Sequence, residues 1–410
     1  MVLRKHIIQN FFSRVCFLGS TFLVNIYFTR LLGAAGSGEL YYAINNYSVI
    51  VLLSSLSLES AMTYFLSKNE IADRELVALS IIWTIIAGTI TSVSFLLLQH
   101  QYLLTSEYNS PLYSFVYIAG NLLTTYFSAL FFARQKFLYP LFIPAITNFI
   151  IAIIGWSFLR YGNKDIRDII IRFYFFSFIL NGIILAIIYR FNFPFRFQWE
   201  LPSKQIIKKL WGYSAIAFVA NLVSFFALRI DYWILKVYVP VSVTINDFGN
   251  YVQVAKLVQV FLISPTIIAT VVFPVSASGT GPSFELKFRK MISNALLLNI
   301  AACILLLFTG MWAFPFIFGN GFDAMYSCFI YSIPGILALT IVRILAAYFA
   351  GKNQIKFNLR GSLIALFIIA GLNILLIPLM GINGAAVADS AGYLAYMVYL
   401  IILFRKWKIQ

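Results

Sequence analysis

Long apolar stretches alternate with short polar connectors along the whole chain. Crossing the hydrocarbon core of a bilayer takes about 20 mostly apolar residues as helix. Twelve runs of that kind stand out, at roughly 7–31, 40–66, 76–98, 111–133, 138–159, 168–189, 210–236, 248–275, 288–314, 325–350, 359–379 and 384–404. The pattern predicts an all-α integral membrane protein of about twelve transmembrane helices. Backbone polar groups satisfied within each segment are what lipid demands.

Composition agrees. Of the 410 residues, 61% are hydrophobic and only 11% charged, and the mean hydropathy is +0.88. A soluble domain carries about 25% charged residues. The balance is basic, with 30 Lys+Arg against 14 Asp+Glu. The positive residues sit singly or in small groups between apolar runs, which argues against a nucleic-acid surface and for membrane topology. Two histidines and three scattered cysteines (Cys16, Cys303, Cys328) provide neither a metal motif nor a disulfide framework. Arg14, Asn25 and Arg30 interrupt the first apolar run, which reads as a retained helix and not as a cleaved signal. No GKS or GKT phosphate loop occurs, so ATP is not the expected direct energy source, and no cofactor is expected.

The connectors set the orientation. With the N-terminus inside, the cytoplasmic segments hold 20 Lys and Arg, and the external ones hold four: Arg160, Lys164, Arg167 and Lys236. Such a bias places both termini in the cytoplasm. The longest cytoplasmic connector falls near the middle, which divides the chain into an N-terminal six-helix lobe (1–190), a linker (191–209) and a C-terminal six-helix lobe (210–410). Within it, 201–211 reads either as an interfacial helix start with Ser203 as cap, or as a solvated basic linker. Gly38-Glu39-Leu40-Tyr41 and Gly249-Asn250-Tyr251 open the second spans of the two halves. Their faint likeness suggests two bundles related by an axis along the membrane normal.

Charges within spans are costly against lipid and mark cavities or partners. The cations are Arg14, Arg30, Arg229, Lys256 and Arg343, which we take as candidate anion-binding residues. The acidic groups within spans are Glu59, Asp231 and Asp389, and Asn373 is a weaker polar signal. Arg14 and Glu59 stand at matched depth on neighbouring spans, so an ion pair is expected; unpaired, Arg14 joins the anion site and Glu59 becomes a candidate for proton coupling. Asp231 and Lys256 are matched in the same way. Pro144, Pro265 and Pro334 sit within spans and are expected to kink them.

Four local patterns resemble a known family. They are Thr29-Arg30-Leu31-Leu32-Gly33 followed by Gly36-Ser37-Gly38 and Tyr41; the run from Leu52 to Asn69; Ala133-Arg134-Gln135-Lys136; and the turn from Ile377 to Ala386. Their order resembles the Wzx-type O-antigen flippases of the multidrug/oligosaccharidyl-lipid/polysaccharide (MOP) exporter superfamily. The resemblance implies a flippase in the bacterial cytoplasmic membrane. It would turn an undecaprenyl-diphosphate-linked oligosaccharide outward by alternating access, coupled to an ion gradient, with Glu59, Asp231, Asp389 and Asn373 as candidates for the coupling site. It also implies membrane lipids, a polysaccharide polymerase and a chain-length regulator as partners, and no nucleic acid. Guanidinium groups suit a diphosphate because they bind its oxygens in pairs.

Three rival readings are weighed against this. A drug/cation antiporter of the same superfamily would favour an acidic cavity, and the excess here is basic. A membrane polymerase or glycosyltransferase would need a large external loop or a catalytic domain with clustered carboxylates, and neither is evident. A peptidoglycan-precursor flippase would be expected to carry two further C-terminal helices.

Overall fold

The computed structural model describes residues 2–100, 108–158, 164–194, 202–239, 241–277 and 282–409. The expected linker 191–209 therefore lies partly outside the described residues. Fourteen helices are described. Ten are long and apolar enough to cross a membrane, and a further pair bent by 40° adds an eleventh. The first helix, α1 (Val2–Ser55), has 54 residues and would be about 80 Å long if straight, far more than the ~30 Å of a hydrocarbon core. It breaks at Gly33, where φ is +68°; read as two crossings, it brings the number to the expected twelve.

Packing divides the chain into two units: Met1–Leu31 with Glu39–Leu222, and Leu32–Gly38 with Val223–Gln410. The first unit contains most of α1, with α2 (Leu58–Ser67), α3 (Asp73–His100), α4 (Pro111–Ala133), α5 (Tyr139–Phe158), α6 (Lys164–Asn192) and most of α7 (Lys204–Ala227). Its core is aromatic: Tyr27, Tyr47, Tyr126, Phe131, Phe175 and Tyr189 are fully buried. Helices α4 and α6 approach closely, because a Cβ at Gly120 would overlap the backbone at Phe178 and Ile179. At the turn after α4, Arg134 pairs with Asp73, which also accepts from the Tyr189 hydroxyl.

The second unit contains α8 (Ile230–Tyr238), α9 (Ile245–Phe261), α10 (Ile263–Ala277), α11 (Pro282–Phe318), α12 (Ala324–Gly351), α13 (Ile355–Met380) and α14 (Ile382–Ile409). The stretch Leu32–Gly38 of α1 packs here, where a Cβ at Gly249 would overlap the Ala34 carbonyl.

Several expected single spans are broken helices, and each break has a visible cause. Pro265 has no N–H for the Phe261 carbonyl; Asn299 Nδ2 donates to it instead at 3.2 Å, and the helix bends between α9 and α10. Pro334, by contrast, lies inside α12 without breaking it; beside it Ser390 accepts from the Gly335 N–H and donates to the Tyr331 carbonyl. The second apolar run breaks at Leu56 and Ser57, both with φ near +50°. There the Ser54 and Ser55 carbonyls are met by the Trp83 indole N–H and the Tyr126 hydroxyl. Freed backbone groups at membrane depth must be satisfied by such donors.

Candidate functional site

In the second unit, α7 tightens at its end into i→i+3 bonds, with Leu228 N–H on Phe225 and Arg229 N–H on Phe226. Arg229 then caps α8, with its guanidinium over the Tyr232 ring at 5.2 Å. A cation at a helix N-terminus opposes the dipole, and Asp231 in the same first turn offsets it. The break therefore holds one positive and one negative group at the start of a half-helix, the arrangement transporters use to face ions.

Helix α9 supplies the group that joins these to the rest. Its start is secured by a capping box between Thr244 and Asp247. Asn250 then anchors it, donating to the Gly321 carbonyl and accepting from the Met325 N–H. The next residue, Tyr251, is 2% exposed. Its hydroxyl contacts Asp231 Oδ2 on α8 and, at 2.6 Å, Asp389 Oδ2 on α14. One hydroxyl proton cannot serve two carboxylates. With both ionised, one of the contacts sets lone pair against lone pair; a proton on either carboxyl, or a cation between them, completes the cluster. Asp389 Oδ1 is buried without a hydrogen-bond partner, and so are both amide atoms of the fully buried Asn373 on α13. Buried polar atoms without partners call for an ion or water.

Three cations share this unit. Arg229 acts electrostatically on Asp231. Lys256, further along α9, is half-buried and within reach of the Arg229 charge. Arg343, in the middle of the α12 span, is exposed and interacts electrostatically with Tyr393 and Tyr396 of α14. The unit thus gathers Arg229 and Asp231, Lys256, Arg343, Asn373 and Asp389 from five separated stretches of sequence.

The candidates in the first unit are more dispersed. Arg30 is exposed, with its guanidinium 5.3 Å from the Trp156 ring centre. Arg14 is half-buried on α1. The expected Arg14–Glu59 pair is not formed: among the described residues Glu59 makes no ion pair, and its buried Oε2 has no hydrogen-bond partner. Glu59 lies instead in the first turn of α2, where the helix dipole favours a carboxylate. Asp231 does not meet Lys256 in an ion pair either; Tyr251 takes that place. In the sequence Tyr251 stands out only as the end of Gly249-Asn250-Tyr251, the faint counterpart of Gly38-Glu39-Leu40-Tyr41. A tyrosine beside an asparagine in an apolar span carries no charge to flag it.

An α-helical chain of many apolar spans, with buried carboxylates and cations gathered at broken helices, is a multi-pass membrane protein built as transporters are. The profile of the family described as polysaccharide biosynthesis protein matches residues 5–280. The chain belongs to that family. The solved lipid II flippase MurJ, in an inward closed conformation, is similar in fold, with a TM-score of 0.76 at 15% identity over 99% of this chain and 88% of that one. A MOP superfamily transporter from Pyrococcus furiosus is similar at TM-score 0.70 and 12% identity, covering 98% of this chain and 95% of that one. So is an inward-facing MATE multidrug transporter, at 0.72 and 10% identity over 96% and 94%. No curated protein sequence matches the chain.

Proposed function

We propose that this protein flips a polyprenyl-diphosphate-linked oligosaccharide, built on the cytoplasmic face, to the outer face of the bacterial cytoplasmic membrane, with both termini inside. The observation that carries the reading is the mid-span set of Arg229, Lys256 and Arg343, placed in one unit of a polysaccharide biosynthesis protein. A cation in such a position survives by facing a wet cavity, and a diphosphate is the anion that this substrate class brings. Arg14 and Arg30 supply further positive charge in the other unit. The fold likeness to a lipid II flippase supports the transport of a lipid-linked head group. The Asp231–Tyr251–Asp389 cluster with Asn373 is the coupling site for a proton or sodium ion, and Glu59 is a second carboxylate available for coupling. A polymerase and a chain-length regulator are the partners that would receive the flipped product.

The carboxylate pair also favours a second reading, a cation/drug antiporter, for which Asp231 and Asp389 would take the substrate's positive charge. In the Pyrococcus transporter a reversed polarity of the binding pocket suggests a different function, and polarity is the property to test here too. Arg229→Gln and Arg343→Gln should each abolish glycan export while protein level and melting temperature stay unchanged. Unchanged export with lost tolerance to cationic dyes would select the antiporter. Loss of the protein itself would assign the two arginines to structure.

A further inference from the structure

The first unit contains an apolar groove that plays no part in the site above. Its volume is about 370 Å³, within the ~300–1,000 Å³ range of ligand sites. Leu58 beyond the break in the second span forms one wall, Leu79, Trp83 and Ile86 of α3 another, and Ile207 and Trp211 of α7 the third. The residues of α3 recur at helical spacing and so present one face. Ile86, Ile207 and Trp211 are each about 43% exposed or slightly less, which leaves the groove open at its side. The wall is held in place: the Trp83 indole N–H donates to the Ser54 carbonyl at 2.7 Å, and Leu210, next to Trp211, is buried. No polar side chain lines the space, so water has nothing to bind there, and an empty groove would forgo dispersion contact on every wall.

The rim is charged. Lys204 and Lys208 lie on the first two turns of α7, just before Trp211, and both are exposed. Lys209 points elsewhere: it pairs with Glu70 and lies over the Phe65 ring at 4.8 Å. Among the described residues, neither Lys204 nor Lys208 has a carboxylate partner. Two exposed ammonium groups on the turns of α7 that precede Trp211, next to a dry groove that α7 lines, match a lipid with one anionic head and a long chain. We propose that this groove binds an anionic phospholipid, with an acyl chain between α3 and α7 and the phosphate on Lys204 and Lys208. A glycan-bearing carrier fits less well, because the groove offers no hydroxyl or amide group for sugars. Bound there, the chain packs against Leu58 and Trp83 and so braces the break at Leu56 and Ser57.

The test uses the full chain in phosphatidylcholine vesicles and reads quenching of tryptophan emission by brominated acyl chains. Subtracting the signal of Trp211→Phe isolates the groove. Brominated phosphatidylglycerol should quench this component at much lower mole fraction than brominated phosphatidylcholine. The preference should fall roughly fivefold for each of Lys204→Gln and Lys208→Gln, the contribution of one lysine near an anionic surface. Ile82 of α3 also lines the groove; Ile82→Phe, which narrows it and leaves the lysines in place, should remove the quenching. Equal quenching by the two lipids, or a preference that survives loss of both lysines, would overturn the proposal. Displacement by polyprenyl phosphate at lower mole fraction than by unbrominated phosphatidylglycerol would overturn it too, assigning the groove to the carrier.

Discussion

Replacing Tyr251 by Phe tests the central cluster most directly. The ring still fills its buried place, and only the hydroxyl between Asp231 and Asp389 disappears. Asp389 then loses the partner of its Oδ2 while its Oδ1 already lacks one. A hydrogen bond to a charged group contributes about 1.5–3 kcal/mol. Both carboxylate oxygens touch the same hydroxyl, so they stand within about 5 Å of each other, two hydrogen-bond lengths. At an effective dielectric constant of about 20, two negative charges at that distance repel by about 3 kcal/mol. Without the hydroxyl, only a bound proton or cation relieves this. Flipping of a lipid-linked oligosaccharide in vesicles, followed from pH 5 to 8, is the assay. The variant should fall by on the order of a hundredfold when both carboxylates are ionised, and recover as acid protonates one of them. Asp231→Asn removes one of the two charges, so adding Tyr251→Phe to it should cost much less than in the native background. Flipping by Tyr251→Phe that follows the native pH profile would refute the shared-proton argument. So would a double variant whose losses simply add.

Two further predictions concern the scaffold. Gly120→Ala should lower stability by about 1–3 kcal/mol through overpacking against α6, because its Cβ meets the Phe178 backbone. Gly371→Ala, which meets nothing within 4 Å, should be neutral or stabilising by up to about 1 kcal/mol; thermal melting in detergent compares the two. The hydrogen bond from Lys209 holds the Glu70 carboxyl below its ordinary value of 4.5. A depressed folded-state value means that the contribution is complete above the ordinary value and disappears as pH falls through the folded one. The melting difference between the native chain and Glu70→Gln should therefore be constant near neutrality and shrink as pH falls below the ordinary value of 4.5.

Membership of the membrane class, the helix count and the identity of the mid-span charges were all legible in the sequence. Lipid offers no hydrogen bonds, so each crossing must be an apolar run long enough to satisfy itself, and that requirement is written in composition. A charge inside such a run is conspicuous for the same reason: Arg229, Asp231, Lys256, Arg343 and Asp389 could be named from position alone. Their partners could not. Matched depth suggested Arg14 with Glu59 and Asp231 with Lys256, yet depth is one coordinate out of three. Rotation of each helix about its axis and the neighbour it packs against decide which side chains meet. The tertiary structure put Tyr251 between Asp231 and Asp389, and it put Asn299 against the carbonyl that Pro265 leaves free. It also broke the second span at Leu56 and Ser57, where neither proline nor glycine stands, because donors from α3 and α4 satisfy the freed carbonyls there. Tyrosine and asparagine are tolerated in an apolar span once a partner is within reach, and that partner comes from a distant helix. Hydropathy sees one residue at a time and carries no trace of it.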